Sequence, residues 1–183
     1  GAAATAPADA ESYRESLQVR YGSLAEDFLA VYPDDDPRQS TLDIFRDSVF
    51  GWNMVTWANL HRFVDQPAFL YYFSHEPPLH AGWEGLGAYH AAEIPYVFNN
   101  VHQLPGGAEA LDVALAGVMS DYWVSFARDG VPTAPGQPQW APYSNSERDY
   151  LHFGGEVRAE RDLLPDHWPL FDRLMDRQRQ QSQ

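Results

Sequence analysis

Ala68-Phe69-Leu70-Tyr71-Tyr72-Phe73 is a short, nearly unbroken apolar and aromatic run, closed by Ser74-His75-Glu76-Pro77-Pro78. Six residues are too few for an ordinary helix. Bulky side chains without alternation predict a strand covered on both faces, as in a parallel sheet. The two prolines cannot continue the ladder, so the chain leaves the sheet at residue 74.

Residues 74–92 then read as one long loop rich in Gly, Pro and His. A loop of this length is usually functional or disordered, and its aromatic and apolar content argues for order. It carries His90 to the edge beyond the strand's carboxyl end, where functional groups gather in open α/β sheets. His90 lies in the run Gly87-Ala88-Tyr89-His90-Ala91-Ala92-Glu93-Ile94-Pro95-Tyr96-Val97-Phe98. An imidazole so placed can take a proton from a hydroxyl nucleophile and return it to a leaving group. It can equally be a loop histidine bonded to backbone. Glu93, three residues after His90, reads from the sequence as a helix-start carboxylate favoured by the dipole.

A metal site is the competing use of these histidines. His75, Glu76, His80 and His90 lie close together, but His-Glu-Pro-Pro-Leu-His is one residue longer than the zinc-binding His-Glu-x-x-His pattern, and two prolines forbid the helix it needs. Neither a metal nor a cofactor is expected.

Upstream, residues 8–32 read as a helix capped by Asp9, with Tyr13, Leu17, Tyr21, Leu24, Phe28 and Leu29 as its apolar positions. Pro33-Asp34-Asp35-Asp36-Pro37 stops it. A second helix is expected over 40–61, with Phe45, Val49, Trp52 and Leu60 on one side and Gly51 permitting a break or close packing. Downstream, residues 107–128 predict a helix with Leu111, Leu115, Val118, Met119, Tyr122 and Phe126 as its stripe and Gly130 at its stop. Residues 150–155 suit a strand and turn. Pro165 or Asp166 opens a last helix presenting Trp168, Phe171 and Leu174, frayed from Arg177 onward.

Composition narrows the function classes. The chain has 183 residues, 44% hydrophobic and 14% aromatic, enough material for a packed core. A net charge of −14, with Arg as the only strong base, argues against nucleic acid and against anionic membrane as partners. Without cysteine, disulfides, thiolate metal sites and a cysteine nucleophile are excluded. No apolar run approaches the ~20 residues of a membrane span, and the first ten residues lack the features of a signal peptide. A soluble protein is expected, and the absence of cysteine leaves its compartment open.

The histidine run resembles that of the type-B carboxylesterase/cholinesterase family of α/β-hydrolases. Further stretches resemble the same family in the same order: Phe45-Arg46-Asp47-Ser48-Val49-Phe50 its Asp-containing helix before the last central strand, Phe69 to His75 that strand, Tyr122 to Gly130 the helix that ends many of these proteins' cores, and Gln139-Trp140-Ala141-Pro142-Tyr143 its Trp-Pro-x-Tyr turn, shifted here by Ala141. The likeness runs from about residue 40 to 155.

The resemblance implies an α/β fold in which residues 1–183 are the C-terminal segment of one α/β-hydrolase domain, the last central strands plus packing helices, completed by an N-terminal part. It implies a serine esterase with His90 as the triad base. No Gly-x-Ser-x-Gly elbow occurs in the chain, so serine and acid would come from the N-terminal part, with Gly1 following the acid. Asp47 is then structural, an ion-paired or capping residue under the site, with an ordinary solvated helix charge as the plainer reading. Glu93, where the family also places a carboxylate, then helps hold the histidine loop. Phe50, Trp52, Trp83 and Tyr89 are candidates for the wall of a small-molecule ester pocket, with core packing as the plainer reading of each. A noncatalytic binding or adhesion module is the alternative.

Overall fold

A computed structural model describes residues 7–61, 63–64, 66–83 and 85–181. Gly1 and the two last residues lie outside that range. The chain divides into two compact units, Gly1–Leu60 with Leu164–Gln183, and His61–Leu163.

The first unit is helical. Asp9 caps α1 (Ala10–Tyr21) through a capping box with Ser12, which satisfies an otherwise orphan N–H. The single helix expected over 8–32 is broken at Gly22, whose φ is 57°. A 3₁₀ turn at Gly22–Leu24 leads into α2 (Ala25–Val31). Tyr21 stacks on Phe28 with ring centroids 3.6 Å apart, and Phe171 meets Phe28 edge-on at 5.7 Å. These rings form the centre of this unit's core.

The helix expected from residue 40 starts earlier, at Pro37, because Asp36 accepts from the Gln39 backbone N–H and proline suits the first helical turn. α3 (Pro37–Arg46) passes through a π-helical turn, Asp47–Gly51, into α4 (Trp52–His61). The buried positions are Ser40, Ile44, Asp47 and Val55, not the expected apolar side. Phe45, Val49, Phe50, Met54, Trp57 and Leu60 are all exposed. Two causes act together. The π turn adds a residue to the helical repeat, and Asp47 is drawn inward by three hydrogen-bonding neighbours described below.

α7 (Trp168–Gln181) closes this unit. It runs beyond Arg177, where fraying was expected, since Arg177 donates to the carbonyl of Tyr21 at 2.8 Å and to Ser23 Oγ at 3.0 Å.

The second unit is a three-stranded sheet against a long helix. β1 (Tyr71–Phe73) pairs in parallel with β2 (Asp149–Phe153), placing Tyr71 beside Leu151 and Phe73 beside Phe153. β2 turns back into antiparallel β3 (Val157–Arg161), a strand whose polar sequence carries no apolar signal. One sheet face packs Leu151 and Phe153 against Leu115, Met119 and Tyr122 of α6 (Ala110–Asp129), with Trp140 between. The indole N–H of Trp140 donates to the Leu70 carbonyl at 2.9 Å.

β1 is shorter than the expected run, and its residues are half-buried rather than covered on both faces. The reason is its place at the sheet edge, since among the described residues it pairs only with β2. α6 ends, as expected, at Gly130, which adopts the left-handed conformation with φ 74°. Its buried side is rotated from the expected stripe. Leu111 and Phe126 are exposed, while Asp112, Ala116 and Ser125 are buried. Among the described residues no helix is long and apolar enough to cross a membrane.

Candidate active site

The segment between β1 and α6 has little regular structure before α5 (Ile94–Val97). His90 sits in the turn that leads into α5, and its side chain is exposed. Backbone bonds from Tyr89 to Gly87 at 3.0 Å, from Ala92 to Tyr89 at 2.9 Å and from Ile94 to Ala91 at 3.2 Å wind the turn. Ala92 is fully buried beneath it. Ala91 holds φ at 70°, the left-handed region that side chains other than glycine rarely adopt. Strain of this kind, of order 1–3 kcal/mol, persists where surrounding structure over-determines the backbone, and it clusters at functional sites.

Glu93 is half-buried, one turn after His90. The Tyr71 hydroxyl donates to it at 3.5 Å, the outer limit of a hydrogen bond. Burial pushes the Tyr71 hydroxyl up to about 12, and the nearby Glu93 charge adds to that. Tyr89 is half-buried beside His90, and Trp83 is exposed further up the same loop. The structure thus gathers His90, Tyr89 and Glu93 into one turn.

Asp47, Phe50 and Trp52 belong to the helical unit. Asp47 is buried, and its carboxylate accepts from the Tyr32 hydroxyl at 2.8 Å, from Arg46 Nε at 2.6 Å and from His167 Nδ1 at 2.7 Å. Burial would raise its carboxyl, but the bonds from His167, Arg46 and Tyr32 outweigh this and hold it below the usual range. Phe50 is exposed. Trp52 is half-buried, and its indole N–H donates to Asp172 at 2.8 Å.

Two polar clusters in the sheet unit escaped sequence reasoning. In the first, the buried carboxylate of Asp112 accepts from His75 Nε2 at 2.7 Å, from the Tyr96 hydroxyl at 2.5 Å and from the Glu109 backbone N–H at 2.7 Å. Burial would raise its carboxyl, but Tyr96, His75 and the Glu109 amide together hold it below the usual range. His75, weighed above as a metal ligand, therefore directs Nε2 at Asp112. The one sequence signal was Glu109-x-x-Asp112, a helix-start pair.

In the second cluster, Ser74 Oγ lies 2.6 Å from His152 Nε2, and His152 Nδ1 lies 3.4 Å from Glu160. This has the connectivity of a triad, but Arg158 Nη2 is 3.3 Å from the same Nδ1 and can only donate. The Glu160 contact needs a proton on Nδ1 and the Arg158 contact needs a lone pair there, so the two compete for one atom and no Ser–His–acid relay is set by this geometry. The cluster reads as a structural tie between β1 and β2.

A parallel strand pair leading through a long loop to a helix that packs on the sheet is the arrangement of part of an α/β-hydrolase. Residues 10–168 match the profile of the Carboxylesterase family. The chain belongs to that family. It is 34% identical over 128 residues to a medium-chain fatty acyl-CoA hydrolase precursor of Anas platyrhynchos, covering 69% of this chain and 23% of that protein. It is 29% identical over 143 residues to human Neuroligin-2 (Homo sapiens), covering 67% of this chain and 17% of that protein. The solved carboxylesterase of Geobacillus stearothermophilus superposes with a TM-score of 0.72 at 25% identity, over 88% of this chain and 34% of that one. The chain thus spans about a quarter of the length of the first of these relatives, 23%.

Proposed function

We propose that this chain supplies the catalytic histidine of a carboxylic-ester hydrolase that works through a serine acyl-enzyme. The observation that carries the reading is the exposed imidazole of His90 on its strained turn beyond β1, in a chain of the carboxylesterase family. His90 takes the proton of the serine hydroxyl as that oxygen bonds to the ester carbonyl carbon. It then returns the proton to the departing alcohol as the carbon–oxygen bond breaks. Water repeats the sequence, and the acid leaves with the serine regenerated. Carbonyl charge is met by backbone N–H groups outside this chain. Glu93 and Asp47 support, the first in the histidine turn and the second in the helical unit. Phe50, Trp52, Trp83 and Tyr89 remain candidates for walls of the ester pocket.

The partner in this reading is the N-terminal part of the same esterase, bearing serine and acid. Two features support it. The outer edge of β1 has no strand beside it among the described residues. In the helical unit, Phe45, Val49, Met54, Trp57 and Leu60 are exposed along α3, the π turn and α4, while only Ile44 and Val55 of their apolar residues are buried beside Ser40 and Asp47, leaving more exposed apolar surface than a finished surface helix carries. The isolated chain would then be inactive. A cysteine-free chain fits a bacterial esterase, cytoplasmic or exported. The second reading, a noncatalytic binding module, is compatible with the Neuroligin-2 match, and the presence of His90 weighs against it.

The test is His90→Ala in the completed esterase with a p-nitrophenyl ester. Turnover should fall by about 10²–10⁴, the worth of a positioned acid–base group, with circular dichroism unchanged. Near-normal turnover would remove His90 from the mechanism.

A further inference from the structure

His90 is carried on an excursion of the chain between His75, just past β1, and Asp112, in the first turn of α6. These two ends lie 37 positions apart and are joined directly, His75 Nε2 to Asp112 Oδ1 at 2.7 Å. The excursion is also tied from within. Tyr96, six residues after His90, donates its hydroxyl to the same Oδ1 at 2.5 Å. The other carboxylate oxygen accepts from the Glu109 N–H at 2.7 Å. One side chain, 1% exposed, thus fixes the strand end, the helix that follows the histidine and the start of α6.

The chemistry suits a rigid tie. An ionised carboxylate only accepts, so His75 must carry its proton on Nε2 and Tyr96 must donate. Charge-assisted bonds of this kind are short and about twice as strong as neutral ones. The N-terminus of α6 adds its own field in favour of the anion. Rings lock the donors: Phe73 meets Tyr96 at 5.4 Å and His75 meets Tyr96 edge-on at 5.3 Å. A second tie lies in the same excursion, where Gly106 donates to the Pro78 carbonyl at 3.2 Å. A Cβ on Gly106 would lie 2.6 Å from the Leu79 backbone nitrogen.

We infer that Asp112 is a positioning residue of the ester-hydrolysing site, acting through His75 and Tyr96 to hold the turn that presents His90. The inference rests on the proposed role of His90 as general base. Asp112 touches no reacting atom. Its effect is on where the imidazole stands when the serine oxygen attacks, and a displacement of about 1 Å at that step costs about 10²-fold in rate.

The experiment uses the completed esterase with a p-nitrophenyl ester, well below the unfolding temperature of every variant. Asp112→Ala should lower kcat by about 10- to 100-fold with KM changed less than about threefold. Asp112→Asn keeps an acceptor for Tyr96 and His75 and should recover part of that loss. Leu115→Ala removes a buried side chain from the same helix without touching the tie, so it should lower the unfolding temperature while kcat stays near normal. If Asp112→Ala does not fold, Tyr96→Phe removes one hydroxyl and keeps the ring, and should lower kcat about 3- to 10-fold. A folded Asp112→Ala or Tyr96→Phe with unchanged kcat overturns the inference. So does Leu115→Ala losing kcat in step with Asp112→Ala, which would make the effect one of general stability. If His90→Ala abolishes turnover while the Asp112 and Tyr96 variants retain it, the base assignment stands and only the positioning role falls. Near-normal turnover in His90→Ala removes both.

Discussion

His167 Nδ1 lies 2.7 Å from the Asp47 carboxylate across 120 positions of sequence, joining the π-helical turn to the segment that opens α7. The same carboxylate accepts from Tyr32 and Arg46, so one buried anion holds four parts of the helical unit together. Asp47→Ala leaves the Tyr32 hydroxyl and the His167 ring without their acceptor. Breaking a buried pair from one side costs about 3–5 kcal/mol. Urea denaturation should show a loss of that size, and Asp47→Asn, which still accepts, should lose less. A loss under about 1 kcal/mol for the alanine variant would mean that the anion is not the tie it looks to be.

Gly51 ends the π turn where Trp168 presses on it. A Cβ there would meet the indole Cη2 at 2.7 Å and Cζ3 at 2.9 Å. No rotation of a methyl relieves such an overlap, so the ring or the helix must move. Gly51→Ala should destabilise by about 1–3 kcal/mol, although alanine is the better helix former. A smaller ring at 168 should absorb the methyl. The double variant with Trp168→Phe should therefore lose less than the sum of the two single losses in thermal unfolding. Simple additivity would show that the two sites do not touch in solution.

What could be read in advance was local, and what was missed was long-range. Asp9 as a cap, Pro77-Pro78 as a strand stop and Gly130 as a helix stop each act on their nearest neighbours, and each appears in the structure as read. The carboxylesterase resemblance was legible because its motifs are contiguous runs. The inner side of α3 and α4 was not, since the π turn and the inward Asp47 depend on His167, far along the chain. Apolar content pointed to Phe45 and Val49 as core, and they are exposed. Around the candidate site, His90, Tyr89 and Glu93 were expected from a single run, and the structure places them in one turn. Asp112 was missed because its partners, His75 and Tyr96, come from separate elements with no periodic relation to it. β3 was missed because Val157-Arg-Ala-Glu-Arg161 is an edge strand held by charge and backbone.

If the chain works with an N-terminal part as proposed, that part should bind on the outward apolar side of α3 and α4. Trp57 is its most exposed large side chain at 66%. Tryptophan is enriched among residues whose truncation costs about 2 kcal/mol or more in an interface. Trp57→Glu should leave helix content unchanged and weaken association with a separately expressed N-terminal part by about 30-fold or more. Titration calorimetry measures this, and equal affinity for both forms would place the interface elsewhere.

The β2–β3 hairpin carries a pH dependence with a defined window. Glu160 accepts from the Tyr150 hydroxyl at 2.6 Å and from Arg158 Nε at 2.8 Å. The Tyr150 bond, followed by that of Arg158, lowers its carboxyl from 4.5 to about 2. A carboxyl depressed on folding binds its proton more readily in the unfolded chain. Its stabilisation is therefore complete above pH 4.5 and drains away as pH falls toward about 2. Carboxyl carbon shifts should show Glu160 still ionised at pH 3, when exposed glutamates are mostly protonated. Glu160→Gln, which has no proton to take up, should flatten the acid side of the stability curve over that window and leave the rest in place. An unaltered acid slope would assign the loss of stability to other carboxylates, Asp47 and Asp112 first among them, since both are also held below their usual range.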